Sequence, residues 1–288
     1  MSILLDGLSL GAVYALIALG YTMVYGIAKM LNFAHGDFIM IGAYTILTII
    51  TKLGGNVYLG FVTSVLVCCI VGVLTEKLAY KPLRGASPLA VLITAIGVSY
   101  LLQGAAQLIF GAKPQPISLP HYGTVNIAGS EISINTIVTL IVGAAIMVAL
   151  QLFVKKAKTG RAMVAVSEDR GAAQLMGINV NNIITVTFAI GSALAAFASF
   201  FYLMPIPTVE PTLGSLPGIK AFTAAVIGGI GSIPGAMIGG VLLGIVEKVC
   251  LSIPAIKDYT TAIEFSLLIV ILLVRPIGIL GKKRREKV

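Results

Sequence analysis

Apolar runs of about twenty residues, the length that crosses a bilayer as a helix, recur along almost the whole sequence. In hydrocarbon every backbone N–H and C=O must find a partner inside the protein, and a single run of this length does so by coiling into a helix. The first run covers about Ile3 to Ile27, the second about Phe38 to Thr51, the third about Val57 to Leu78 and the fourth about Leu89 to Phe110. A fifth covers about Thr136 to Val154, a sixth about Ile183 to Met204 and the last about Thr261 to Ile279. Between the sixth and the last the pattern is irregular. Prolines break 205–218, and glycines divide the next stretch into Ile219–Ile230 and Ala236–Leu251. The shorter piece reads as a half-helix entering from one face.

Only 11% of the residues are charged, against about 25% in a soluble domain. The expected fold is therefore an all-α polytopic membrane protein. It forms one domain over residues 1–288, with about eight transmembrane segments and discontinuous or re-entrant helices near 28–37 and 219–235. Residues 111–133 are polar, and HYGTVNIAGSEISIN reads as a small hairpin on the membrane surface. The net charge of +9 sits mostly in short loops and in the tail KKRREK. It reports topology and gives no reason to expect nucleic-acid binding. Gathering the basic clusters on one side leaves only Lys52, Lys113, Lys220, Lys248 and Lys257 opposite. The crowded side is then the cytoplasm, with the N-terminus outside and the C-terminus inside.

No catalytic constellation stands out. His35 and His121 have no cysteine or carboxylate at ligand spacing, so no metal site is expected. Cys68, Cys69 and Cys250 lie in apolar runs and read as inert thiols. No phosphate-binding G-x-x-x-x-G-K-[ST] loop occurs, so any ATP hydrolysis falls to another protein.

One long polar stretch interrupts the apolar pattern, Lys155 to Asn182. Met163, Val166, Ala173 and Met176 recur at helical spacing over 162–176, with Glu168, Asp169 and Arg170 turned elsewhere and Gly160 and Gly177 as brackets. Two readings fit: a helix that docks a soluble partner driving transport, or an amphipathic loop on anionic headgroups held by Lys155, Lys156 and Lys158. Asn32, His35 and Asp37 form a polar cluster in an apolar region. They read either as a hydrated helix cap, with Asp37 capping the second span, or as part of a gate or translocation path. Gly228, Gly229, Gly231 and Gly235 read as a helix break lining that path or as tight packing. Glu210 reads as a solvated carboxylate of an outer loop or as a docking point for an external protein, and Glu247 is expected at a hydrated interface.

The wording of four blocks adds a resemblance. GAAQLMG at 171–177 resembles the E-A-A-x-x-x-G coupling motif of ABC importer permeases, with Gly171 where the Glu usually stands. GYTMVYGIAKMLNFAHGDFIMIGAY, TGRAMVAVSEDRGAAQLMGINV, KAFTAAVIGGIGSIPGAMIGGVLLG and RPIGILG together resemble the permease subunits of bacterial branched-chain amino acid importers. The resemblance implies a second permease chain, two cytoplasmic ABC ATPase subunits that bind ATP and Mg, an external solute-binding protein, and residence in the bacterial inner membrane. It implies no cofactor in this chain. It assigns ATPase coupling to Gly160, Arg161, Glu168, Asp169, Ala172, Ala173 and Gly177. It leaves urea, amides or another amino acid as alternative solutes. An ion-coupled transporter, a channel or a non-transporting scaffold are the competing classes.

Overall fold

The computed structural model describes residues 2–120, 122–127 and 130–281. His121, the KKRREK tail and the expected placement of the C-terminus lie outside them. Helices α1 (Ser2–Ala28), α2 (Asp37–Thr51), α3 (Val57–Thr75) and α4 (Pro88–Phe110) come first. A wide turn, Glu76–Tyr80, and a tight one, Lys81–Leu83, prolong α3. Next come α5 (Ile134–Lys156), α6 (Lys158–Glu168), α7 (Arg170–Leu175) and α8 (Val180–Leu203). The series closes with α9 (Ser215–Gly228), α10 (Ile233–Ser252) and α11 (Thr260–Val274). Polar residues mark the starts: Asn56, Ser87, Ser133, Asn179 and Ser232 each accept a backbone N–H of the helix they precede.

Seven helical stretches among the described residues are long and apolar enough to cross a membrane. The protein is thus a multi-pass membrane protein. Helices α9 and α11, at 14 and 15 residues, fall short of a hydrocarbon core about 30 Å thick at about 1.5 Å per residue. The last run stops at Val274 and not at Ile279. Arg275 precedes Pro276 and leaves the helical region, with φ −137° and ψ 85°.

The interior is built on α1. Gly7 and Gly11 of α1 face Gly240 and Gly244 of α10, and the two backbones touch. A Cβ on Gly244 would lie 2.2 Å from Gly11 N, and one on Gly240 would lie 2.4 Å from the Ala15 backbone. Paired glycines four apart let helices approach this closely in a membrane. The apolar stretches containing α2 and α8 are each 67% buried, against 17% for α4. Helices α1, α2 and α8 are therefore central, and α4 presents a broad apolar face outward.

Two small antiparallel sheets close one end. Strands β1 (Gln115–Pro116) and β4 (Thr208–Val209) pair, with Gln115 opposite Val209. Strands β2 (Thr124–Ile127) and β3 (Ser130–Ser133) form the expected hairpin, with Val125 opposite Ile132.

Candidate functional site

Helix α1 ends at Ala28, and the chain reverses at Lys29, whose φ of +55° is left-handed. The connector then runs back alongside α1. Gly20, two turns before the helix end, packs against His35: a Cβ there would lie 2.2 Å from the imidazole Nε2. Asn32, His35 and Asp37 are all buried, at 2%, 1% and 2% exposure. Tyr80 donates its hydroxyl proton to Asn32 Oδ1 at 2.7 Å, and the His35 ring packs edge-on to Tyr21, 4.7 Å between centroids. This overturns the hydrated-cap reading. The residue before α2 is Gly36, with no side-chain cap, and Asp37 is already helical. Its carboxylate points sideways and accepts from Gln103 Nε2 of α4 at 2.9 Å.

The second broken element starts at the same place. Gly36 and Gly214 are in backbone contact, so close that a Cβ on Gly214 would sit 1.9 Å from Gly36 O. Helix α9 begins at Ser215, whose hydroxyl lies 3.3 Å from Gln103 Nε2, with Ser99 Oγ at 3.1 Å. Asp37, Ser99, Gln103 and Ser215 thus converge from three helices. They line a cavity of about 300 Å³, whose remaining walls include Tyr21, Phe33, Ile96, Tyr100, Gly218 and Ile219. Small-molecule sites run from about 300 to 1,000 Å³ and pair apolar walls with a few placed polar groups. Neither Gln103 nor Ser99 stood out in the sequence, because each is one polar residue within a spanning run.

The other end of α9 is an elbow. Gly228 and Gly235 press backbone to backbone, and Gly229 and Gly231 take φ of +105° and +92°. None of the four lines the cavity. The carbonyls of Ile227 and Gly228, left unpaired where α9 stops, accept the N–H groups of Ile279 and Leu280 at 2.9 Å each. The RPIGILG block therefore completes α9.

Charge is also buried in the interior. Lys220, expected on the side opposite the basic clusters, is 5% exposed. Its Nζ lies 2.9 Å from Glu247 Oε1 and 3.2 Å from Glu264 Oε2. Tyr14 donates to Glu247 Oε2 at 2.7 Å. Glu247 is accordingly held in an interior cluster joining α1, α9, α10 and α11, and not at a hydrated interface. The clue available was charge inside apolar runs, Lys220, Glu247 beside Lys248, and Glu264, which usually signals a partner.

The polar stretch folds as two helices and not one. Asp169, at φ −152° and ψ 113°, separates α6 from α7, and its carboxylate accepts the Ala172 N–H at 3.0 Å as a cap. Gly160 lies within α6, against the Phe153 and Val154 backbone. Gly177 ends α7 at φ +80°, with Gly177 N–H bonding Gln174 O and Ile178 N–H bonding Ala173 O, the Schellman pattern. Met163, Val166 and Ala173 face inward as expected. Met176 does not: past the break it is 82% exposed beside Leu175 at 90%. Arg161, Glu168, Asp169 and Ala172 are exposed, Gly160 and Ala173 buried.

Arg170 ties this segment to the first break. Its guanidinium donates to the carbonyls of Ile27, at 3.2 Å, and Ala28. Burial, with the Arg84 guanidinium nearby, lowers its pKa from the usual value. A further tie, unremarked in the sequence, joins Arg84 to buried Glu76, which also accepts from Thr185 of α8 at 2.8 Å.

Comparison with known proteins gives a consistent picture. A family model described as the permease component of branched-chain amino acid transport systems matches residues 3–272. The high-affinity branched-chain amino acid transport system permease protein BraD of Pseudomonas aeruginosa is 46% identical over 298 residues, covering 99% of this chain and 97% of that protein. The corresponding LivH protein of Escherichia coli K12 is 43% identical, over 98% and 96%. A probable LivH of Methanocaldococcus jannaschii is 31% identical, over 92% and 88%. Among solved structures, a chain of PsaBC from Streptococcus pneumoniae in complex with Fab superposes with a TM-score of 0.51 at 20% identity, over 96% and 91%, a likeness of fold.

Proposed function

The chain belongs to the family of branched-chain amino acid transport permeases, and from that membership we propose that it is the membrane-spanning subunit of an ATP-driven importer carrying leucine, isoleucine and valine into the cytoplasm. One observation carries the reading: the family match runs through nearly every element, from residue 3 to residue 272. The setting is a bacterial inner membrane, and the whole of 1–288 acts as one permease domain with the N-terminus outside and α6 and α7 cytoplasmic. The chain itself is not an enzyme. Two partner ABC ATPases bind ATP and Mg, an external protein delivers the solute, and a second, paralogous permease completes the path.

In this mechanism the ATPases dock on α6 and α7 at Gly160, Arg161, Glu168, Asp169, Ala172, Ala173 and Gly177. The exposed pair Leu175 and Met176 supports the same face: two large apolar side chains in a polar segment fit a groove on a soluble partner. When ATP closes the partners, α7 moves and Arg170 carries the motion to the end of α1. The connector 29–36 and Asp37 shift with it, so the path past Asn32, His35 and Asp37 opens to one face and closes to the other. The Gly228–Gly235 crossing, with Gly229 and Gly231, is the elbow on which α9 accommodates the change.

The test is co-purification from native membranes, paired with uptake of labelled leucine. The intact chain is expected to bring down an ATPase. Chains with Ala172, Ala173 or Gly177 replaced by a bulky charged residue are expected to lose it and to lose uptake. Uptake by the lone chain in liposomes without ATP would instead establish a channel or an ion-coupled transporter.

A further inference from the structure

We propose that the cavity beside Asp37 recognises the ammonium group of the transported solute, with Asp37 as its counter-ion. This rests on the importer reading and names the chemistry of its path. The buried carboxylates differ in what neutralises them. Glu76 is paired with Arg84, and Glu247 and Glu264 share Lys220. Asp37 is as deeply buried, at 2% exposure, yet among the described residues no lysine, arginine or histidine lies within ion-pair distance of it. A buried carboxylate without a cation is costly. This one faces a cavity of about 300 Å³.

Gln103 and Ser99 supply neutral hydrogen bonds to this carboxylate, leaving acceptor capacity on a group that offers about four lone-pair sites. The hydroxyls of Ser99 and Ser215 stand beside it and can take further ammonium protons. The facing wall, Phe33, Ile96 and Ile219, suits an aliphatic side chain. The occupant this arrangement fits is a small primary ammonium with a branched hydrocarbon tail. Tyr100, Ile219 and Ile96 are 70%, 47% and 43% exposed, so the cavity is open along that flank.

The test uses the assembled complex with Cys68, Cys69 and Cys250 replaced by alanine and Ile96→Cys as a reporter of cavity occupancy. Leucine and 3-methylbutylamine are expected to slow labelling by a neutral maleimide several-fold. 4-Methylpentanoate, which is leucine without its amine, is expected to give no protection. Asp37→Asn is expected to abolish protection. Ser99→Lys, which places a tethered ammonium beside Asp37, is expected to abolish it without burying an unpaired charge. Protection by 4-methylpentanoate, protection by sodium ion alone, or leucine protection surviving in Ser99→Lys would overturn the proposal. The two readings separate cleanly: leucine uptake by the wild-type complex without cavity protection defeats only this one, and absence of uptake defeats the importer reading beneath it.

Discussion

Lys220 shows what a single side chain can decide in an apolar interior. It neutralises Glu247 and Glu264 together, and Glu264 is fully buried. Replacing it, as in Lys220→Met, leaves two carboxylates facing each other with no cation. Breaking a buried ion pair in this way costs roughly 3–5 kcal/mol. The purified chain is expected to unfold at a clearly lower temperature in detergent. Adding Glu247→Gln and Glu264→Gln is expected to recover most of the loss, because the charge problem is then removed from both sides. If Lys220→Met melts like the wild type, the cluster is not holding α9. The sequence could not reveal this grouping. Its three members are separated by 27 and 17 positions, as their numbers show, and nothing in a linear pattern says which lone charges meet. Counting charges by side said nothing of whether Lys220 is buried.

At the scale of elements, the important joint is between α7 and the end of α1. Arg170 donates to two carbonyls that α1 cannot satisfy itself. Arg170→Ala is expected to leave the ATPase bound, since Leu175, Met176 and Ala172 are untouched, while leucine uptake falls by roughly tenfold or more, a loss of about 1.4 kcal/mol or greater in coupling. Co-purification and uptake measured on the same preparation check this. Loss of both together would place Arg170 in the docking surface instead.

The helical character of this segment was legible, and so was its stop at Gly177, where a left-handed turn calls for glycine. The division at Asp169 was not. An aspartate inside a helical pattern and an aspartate capping a new helix look alike until the backbone is seen. Met176 points outward for another reason: α7 ends at Leu175, and Met176 has already left the helical backbone at φ −83° and ψ 10°.

Across the whole molecule, the spans were readable because each is a continuous apolar run, and their limits fell within a few residues of the observed ones. The two irregular regions were readable as well, from glycine, proline and polar residues. Their meeting at Gly36 and Gly214 could not be read, because backbone alone makes that contact. The pairing of 275–281 with α9 was equally hidden. Ile279→Pro, which removes one N–H from the Ile227 carbonyl, is expected to cost about 1–3 kcal/mol for a buried unsatisfied group. It is expected to raise protease sensitivity near 227–231, whereas Leu273→Ala, on an exposed face of α11, is expected to leave it unchanged. Equal digestion of the two variants would count against a capping role for the segment.

That cap has a consequence for how the molecule is made. The groups that finish α9 are supplied only after α10 and α11 have been synthesised. While the ribosome is still translating those helices, the carbonyls of Ile227 and Gly228 lack the partners that 279–280 later bring. The C-terminal end of α9 is therefore the part of that helix whose hydrogen bonding waits longest for its partners. A chain that stops before 279 leaves both carbonyls without those partners.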